Sequence, residues 1–381
     1  MSLRDKLQRP RGGSSPAKKL YETFGVLENP FPASGQPTGH PRLDSSNADE
    51  SVVSAIRKFE RDNSTQVLVI EGTQGVGKTN LLNYYQEQLQ ELYQEDKTFY
   101  VIRYYPDPEP TFDAIVRRVF QELGESHLIA IGAKLYELDD ADADRTIEMA
   151  RGHEIRLALR KLRNAAESDR ASVASVAMEW LTGLRLLNRH RDALGVNFRL
   201  DTVESKTQAL RDIVFVSEQL GLLKGIFLLL DELEKQDYSL SKTPVLRYLS
   251  AIRALIDALP KRLFLMLALT GEARRRYFGM LPAIASRLQN RITLTSLQST
   301  DEGIALAEFY VQQAQERANA SPTTSKWTAG QAQIIAPSKI KSIFTNAIRE
   351  SADRAVEGVT HRDFLNRLHN AAEQAFSETI K

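Results

Sequence analysis

The stretch Gly72-Thr-Gln-Gly-Val-Gly-Lys-Thr79 restricts the fold more than any other feature of the 381-residue chain. Ahead of it stand Val67, Leu68, Val69 and Ile70, an apolar run without alternation. Such a run is what a strand looks like in a parallel sheet covered on both faces. Behind it, from Asn80, come Leu81, Leu82, Tyr85 and Leu89 at helical spacing. A strand over Gln66–Glu71 must therefore turn into a helix within a few residues, and glycine supplies the backbone freedom for that turn. The expected class is α/β with a parallel sheet.

The same stretch matches G-x-x-x-x-G-K-[ST] in full. Its glycines let the backbone curl so that several N–H groups point inward, and the following helix adds its positive N-terminal end. Gly72, Thr73, Gln74, Gly75, Val76, Gly77, Lys78, Thr79 and Asn80 are thus candidates to cradle a nucleotide's phosphates. Lys78 is placed to reach the β- and γ-phosphates, and the Thr79 hydroxyl to ligate Mg²⁺.

A cradle of this kind needs a carboxylate station. Ile226 to Leu230 is a second uninterrupted apolar strand, and it ends in Asp231-Glu232. Asp231 can hold Mg²⁺ through water, while Glu232 can orient and deprotonate the attacking water. Phe99–Tyr104 and Leu263–Leu269 read as further strands, the latter ending at Thr270. Thr270 has two readings, a contact to the γ-phosphate or lytic water, and an N-cap for the next helix. A last short strand is expected over Arg291–Leu294. Arg287 and Arg291 are candidates for an arginine that completes a neighbouring subunit's site, with Arg287 favoured and a plain surface arginine as the alternative.

Together these residues resemble an AAA+ ATPase. The resemblance implies ATP and Mg²⁺ as cofactors, a three-layer P-loop core, a long helical insert and a C-terminal helical lid. On this sequence the parts are expected as a basic flexible tail over 1–20, a core over 21–296 with an insert over about 106–220, and a lid over 297–381. Arg362 or Arg367 would be the lid arginine that senses nucleotide, although "EGVTHRD" departs from the usual Gly-x-x-Arg. "FGVLENPF" is similar to a segment of transposon-regulator and ExeA-type AAA+ ATPases that lies against adenine, which would give Asn29, Pro30 and Phe31 that role. The span from about Trp180 to Leu288 looks like the BREX-associated ATP-binding protein family of bacterial phage defence. Both groups sit near the branch of replication-origin ATPases, which act on DNA.

Composition limits the partners. Net charge is +1, so no global field draws the chain to nucleic acid or to a membrane, and contacts must come from local patches. There is no cysteine, which excludes disulfides and thiolate metal sites and fits a cytoplasmic location. Three basic clusters stand out: Arg156, Arg160 and Arg163; Arg185, Arg189, His190 and Arg191; Arg274, Arg275 and Arg276. Each is either a solvated face or a contact to a DNA backbone. The acidic run Asp139–Asp144 lacks the turn glycine and distal glutamate of a calcium loop and reads as a helix start.

These readings lead to an ATP-driven homo-oligomer, ring or filament, acting on double-stranded DNA with partner proteins of a defence or transposition system and no membrane. A nucleotide-dependent protein scaffold and a small-molecule kinase are the competitors. Glu232, suited to activating water, disfavours the kinase.

Overall fold

A computed structural model of the chain describes residues 16–33, 48–104, 112–183, 186–231, 242–321, 332–353 and 357–380. In chain order the first elements are α1 (Pro16–Phe24), α2 (Ala48–Asp62), β1 (Gln66–Glu71), α3 (Lys78–Leu92) and β2 (Phe99–Tyr104). Six helices follow: α4 (Phe112–Glu137), α5 (Asp140–Glu148), α6 (His153–Asn164), α7 (Glu167–Leu181), α8 (Asn188–Leu194) and α9 (Val203–Gln219). Then come β3 (Gly225–Leu230), α10 (Lys242–Ala258), β4 (Leu263–Leu269), α11 (Gly271–Met280), α12 (Pro282–Ala285) and β5 (Arg291–Thr293). The C-terminal helices are α13 (Thr300–Ala320), α14 (Pro337–Asp353) and α15 (His361–Ile380).

The chain divides into two compact units. The larger takes Asp44–Gly72 and Leu81–Leu294; the smaller takes Met1–Leu43, Thr73–Asn80 and Thr295–Lys381. This division is not the one expected from the sequence: Thr73–Asn80, placed there in the core, falls in the smaller unit. The segment after residue 20, expected in the core, groups with the C-terminal helices. The basic tail lies outside the described residues up to position 15, and Lys18 and Lys19 already belong to α1.

In the larger unit the five strands form a parallel sheet in the order β2-β3-β4-β1-β5. Alternate side chains go to opposite faces of a strand. Val67 and Val69 of β1, Ile226, Leu228 and Leu230 of β3, and Leu263, Leu265, Leu267 and Leu269 of β4 share one core with helices α4 to α12. Leu68, Ile70, Phe227, Leu229, Phe264, Met266 and Ala268 share the other with α2 and α3. The strands carry unbroken apolar runs because both faces are covered, so the layers are helix, sheet, helix. Phe59 of α2 is 1% exposed and meets Phe227 and Phe264 edge-on, with centroids 5.3 and 5.7 Å away. Removing such a ring from a packed core costs about 3–5 kcal/mol.

Six helices, α4–α9, lie between β2 and β3. Among them α4 breaks at Gly124, which takes φ 75° and ψ 168°. Ile155, Ala158, Leu159 and Leu162 are the buried stripe of α6. In the smaller unit, Leu20, Phe24, Val26 and Phe31 share a core with Leu306, Tyr310, Phe344, Phe364, Leu368 and Phe376. The backbones of Leu297 and Val359 exchange two hydrogen bonds, of 2.8 and 2.9 Å.

Candidate functional site

The loop after β1 has the conformation that its glycines were expected to provide. Gly75 has φ 86° and Gly77 φ 105°, a region that side chains rarely enter. Space around a Cβ at Gly77 is open to 4 Å. Lys78 opens α3, is 8% exposed, and turns its ammonium back to donate to the Thr73 carbonyl at 3.2 Å. No acidic residue sits in the first turn of α3, so its positive end is not offset by its own side chains. A curled backbone, an inward ammonium and a helix N-terminus without acidic residues in its first turn suit a phosphate chain. Thr79 and Asn80 occupy the first turn of that helix.

The start of α15 meets this loop within the smaller unit. The Arg362 N–H donates to the Gly75 carbonyl at 3.0 Å. A Cβ at Gly75 would lie 3.3 Å from Thr360 Oγ1 and 3.4 Å from Arg362 Cβ. The Thr360 hydroxyl caps α15 by accepting from the Asp363 N–H at 3.3 Å, as the Thr360…Asp363 pattern predicts. Of the two candidate lid arginines, Arg362 is therefore at the loop. Arg367 is held by Glu350 at 2.5 Å and Asp363 at 3.2 Å. Burial lowers the pKa of His361, the first residue of α15, against a smaller upward pull from Glu302.

Asn29 and Phe31, on either side of Pro30, bond the far part of the same helix. The Asn29 amide donates to the His369 carbonyl at 3.1 Å and to Glu373 at 2.8 Å, and its carbonyl oxygen accepts from the Phe31 N–H. Phe31 is 2% exposed with Tyr310 beside it, and its carbonyl oxygen lies 2.7 Å from His369 Nδ1. In this structure the segment braces α15.

At the carboxyl edge of the sheet in the larger unit, Gly72, Asp231 and Thr270 follow β1, β3 and β4. The Gly72 N–H donates to the Leu269 carbonyl at 3.2 Å. Asp231 is 1% exposed, and one of its oxygens accepts from the guanidinium of Arg103 at 2.7 Å. Sequence reasoning missed Arg103. Its signal was a lone charge inside the apolar strand "FYVIRY". Glu232 lies outside the described residues. Thr270 is the N-cap of α11, accepting from the Ala273 N–H at 3.1 Å, so that reading is realised. Arg287 is held by Asp257 at 3.0 Å and by Ser286 at 2.7 Å. Arg291 reaches Glu71 at 3.5 Å.

Several members of the basic clusters are held in ion pairs. Arg160 pairs with Glu148 at 2.6 Å, Arg163 with Asp140 at 2.5 Å, and Arg156 with Glu148 at 3.5 Å. The acidic run and the basic stripe of α6 thus answer each other. Asp139 caps α5, which is the helix start the sequence predicted. Arg189 and the buried His190 both bond Glu179, and Arg274 bonds Glu71 at 2.9 Å. Arg185 lies outside the described residues.

Among the described residues no three acidic or histidine groups cluster as a metal cage. The buried carboxylate of Asp231 is a donor of the kind Mg²⁺ takes from a protein, ordinarily one or two oxygens beside phosphates and water. Also among the described residues, no helix is long and apolar enough to cross a membrane.

The chain is similar over 87% of its length to two structures of the Aeropyrum pernix ORC2 protein, one of its ADPNP-ADP complexes and one of its ADP form. Identity is 11% in each, covering 69% and 70% of those chains, with TM-scores of 0.38 and 0.37. No curated protein matches. The family model described as BREX system ATP-binding protein BrxC/D matches residues 111–374. That segment begins after the glycine loop, which therefore stands on its own motif and geometry. Because the match takes in well over half of the chain, the protein belongs to the BREX system ATP-binding protein BrxC/D family.

Proposed function

We propose that the protein binds Mg-ATP, hydrolyses it slowly, and uses the cycle as an oligomeric switch acting on DNA in a BREX phage-defence system. The observation that carries the nucleotide part is the loop: two left-handed glycines and an inward Lys78 that opens α3. In this reading the loop amides and Lys78 hold the phosphates. Thr79 offers a hydroxyl and Asp231 a carboxylate to Mg²⁺, and Glu232 activates water. Arg362, at the loop, responds to the nucleotide, and Arg287 serves a neighbouring copy once released from Asp257. Thr270 supports the nucleotide edge of the sheet by capping α11. Asn29, Pro30 and Phe31 set the position of α15 from which the base is met.

Two variants test this. Lys78→Ala is expected to weaken ATP binding about a hundredfold or more, since a charge-assisted contact to phosphate is lost. Glu232→Gln is expected to keep that affinity while slowing hydrolysis by roughly 10²–10⁴. Calorimetry with ATP and Mg²⁺, followed by phosphate release, reads both. Parental binding by Lys78→Ala would refute the nucleotide site, and parental turnover by Glu232→Gln would remove Glu232 as the base.

A second reading is favoured by the ion pairs of Arg156, Arg160, Arg163, Arg189 and Arg274. Cations already paired within the chain have less to give to DNA. The protein is then a nucleotide-dependent scaffold for partner proteins, without direct DNA contact. Association with duplex DNA at graded salt separates the two.

A further inference from the structure

We propose that Arg103 is a positioning residue that governs how readily Asp231 accepts a divalent cation. The inference rests on the reading of Asp231 as a Mg²⁺ ligand. It goes beyond that reading by assigning a role to a strand residue outside the nucleotide motifs. Arg103 lies on β2 one strand over, in register with Leu229, two residues before Asp231. Its guanidinium donates to Asp231 Oδ2 at 2.7 Å, with side-chain exposures of 3% and 1%. It is the charged side chain of an otherwise uncharged strand and is 5% exposed.

A buried ion pair is a poor way to gain stability, because desolvating both charges offsets most of their attraction. An apolar pair would serve the sheet as well. What the pair does achieve is local: it gives the carboxylate a permanent cationic neighbour and fixes the orientation of one oxygen. A divalent cation arriving at Asp231 meets a site whose charge is already offset by the guanidinium. It must compete for the carboxylate or share it. Arg103 therefore raises the Mg²⁺ concentration at which Asp231 is engaged, and ties that engagement to the phosphates that arrive with the metal.

The test measures ATP binding across a Mg²⁺ titration, together with thermal unfolding in nucleotide-free buffer with EDTA or with Mg²⁺. Arg103→Gln keeps a hydrogen-bond donor and removes the charge. It is expected to lower the Mg²⁺ midpoint about tenfold, because a contact ion pair at an effective dielectric of about 20 is worth several times thermal energy. It should also melt earlier than the parent in EDTA and recover more than the parent does when Mg²⁺ alone is added. Arg103→Lys restores a point charge without the planar fork, so its midpoint should lie between the two. It serves as the deciding variant if Arg103→Gln does not fold. A midpoint unchanged in a folded variant, or a melting loss equal with and without Mg²⁺, would overturn the proposal and leave a structural role only. If the parent binds no ATP at any Mg²⁺ concentration, the nucleotide reading fails, and the nucleotide-free melts still decide Arg103.

Discussion

His127 of α4 shows how one buried side chain ties stability to pH. Its Nδ1 lies 2.8 Å from the Tyr100 hydroxyl and its Nε2 2.8 Å from Ser217 Oγ. Ser217 donates its own proton to the Ile213 carbonyl, so its oxygen must accept, and the imidazole proton sits on Nε2. The neutral ring is satisfied on both sides and has no place for a second proton. Burial accordingly holds its pKa down to about 4, against 6.5 in the unfolded chain. Between those values the unfolded state binds the extra proton and the folded state does not. Stability from this group is therefore complete above about pH 6.5 and is lost as pH falls towards 4, by up to roughly 3 kcal/mol. His127→Gln should flatten that part of the profile in denaturant titrations at pH 7, 6 and 5. An unchanged slope would show that another group carries it. Single residues also mark what a sequence reveals of a site. Lys78 and Thr79 are legible because local backbone geometry alone gives them their position. The partnership of Arg103 with Asp231 is not, since it depends on which strand lies beside β3.

At the scale of elements, the strands were legible for the reason that they are buried: a strand covered on both faces has no polar positions to disguise it. The boundaries of β1, β2 and β4 agree with the apolar runs. The helix-to-helix pairings were not legible. The acids at 139–144 and the arginines of α6 are each plain in sequence, but only the fold of α5 onto α6 turns two charge runs into ion pairs. The same holds for the N-terminal segment, whose partners on α15 lie 338 or more positions away. That brace yields a test. Asn29→Ala removes two donated bonds and one accepted bond, at a cost of about 1–3 kcal/mol. Limited proteolysis should then cut within residues 16–33 faster than in the parent. Asn29→Asp should be worse still, because a carboxylate would face Glu373, whose Oε1 now accepts at 2.8 Å. Equal cleavage in all three proteins would mean that the apolar contacts of Phe24, Val26 and Phe31 hold the segment without Asn29.

For the whole molecule, the open issue is how a chain of net charge +1 with paired arginine stripes would hold DNA at all. Arginines already paired within one copy, such as Arg160 and Arg189, have less to give to a phosphate backbone. Copies assembled side by side sum their contacts, and linked weak contacts can gain factors of about 10²–10⁴ without any new interaction. The switch reading therefore makes a specific demand: duplex DNA binds only when ATP supports assembly. Each neutralised phosphate contributes a slope of about −0.9 in log K against log salt. An assembly making about six contacts should lose roughly a thousandfold in affinity between 50 and 200 mM salt. Glu232→Gln with ATP and Mg²⁺ is the form in which to measure it, since slow hydrolysis keeps the assembled state populated. Light scattering on the same sample reports the assembly independently of DNA. Assembly with steep, ATP-dependent DNA binding supports the switch on DNA. Assembly with no DNA binding at 50 mM salt assigns the protein to the scaffold reading, because the ATP cycle would then be acting on protein contacts alone.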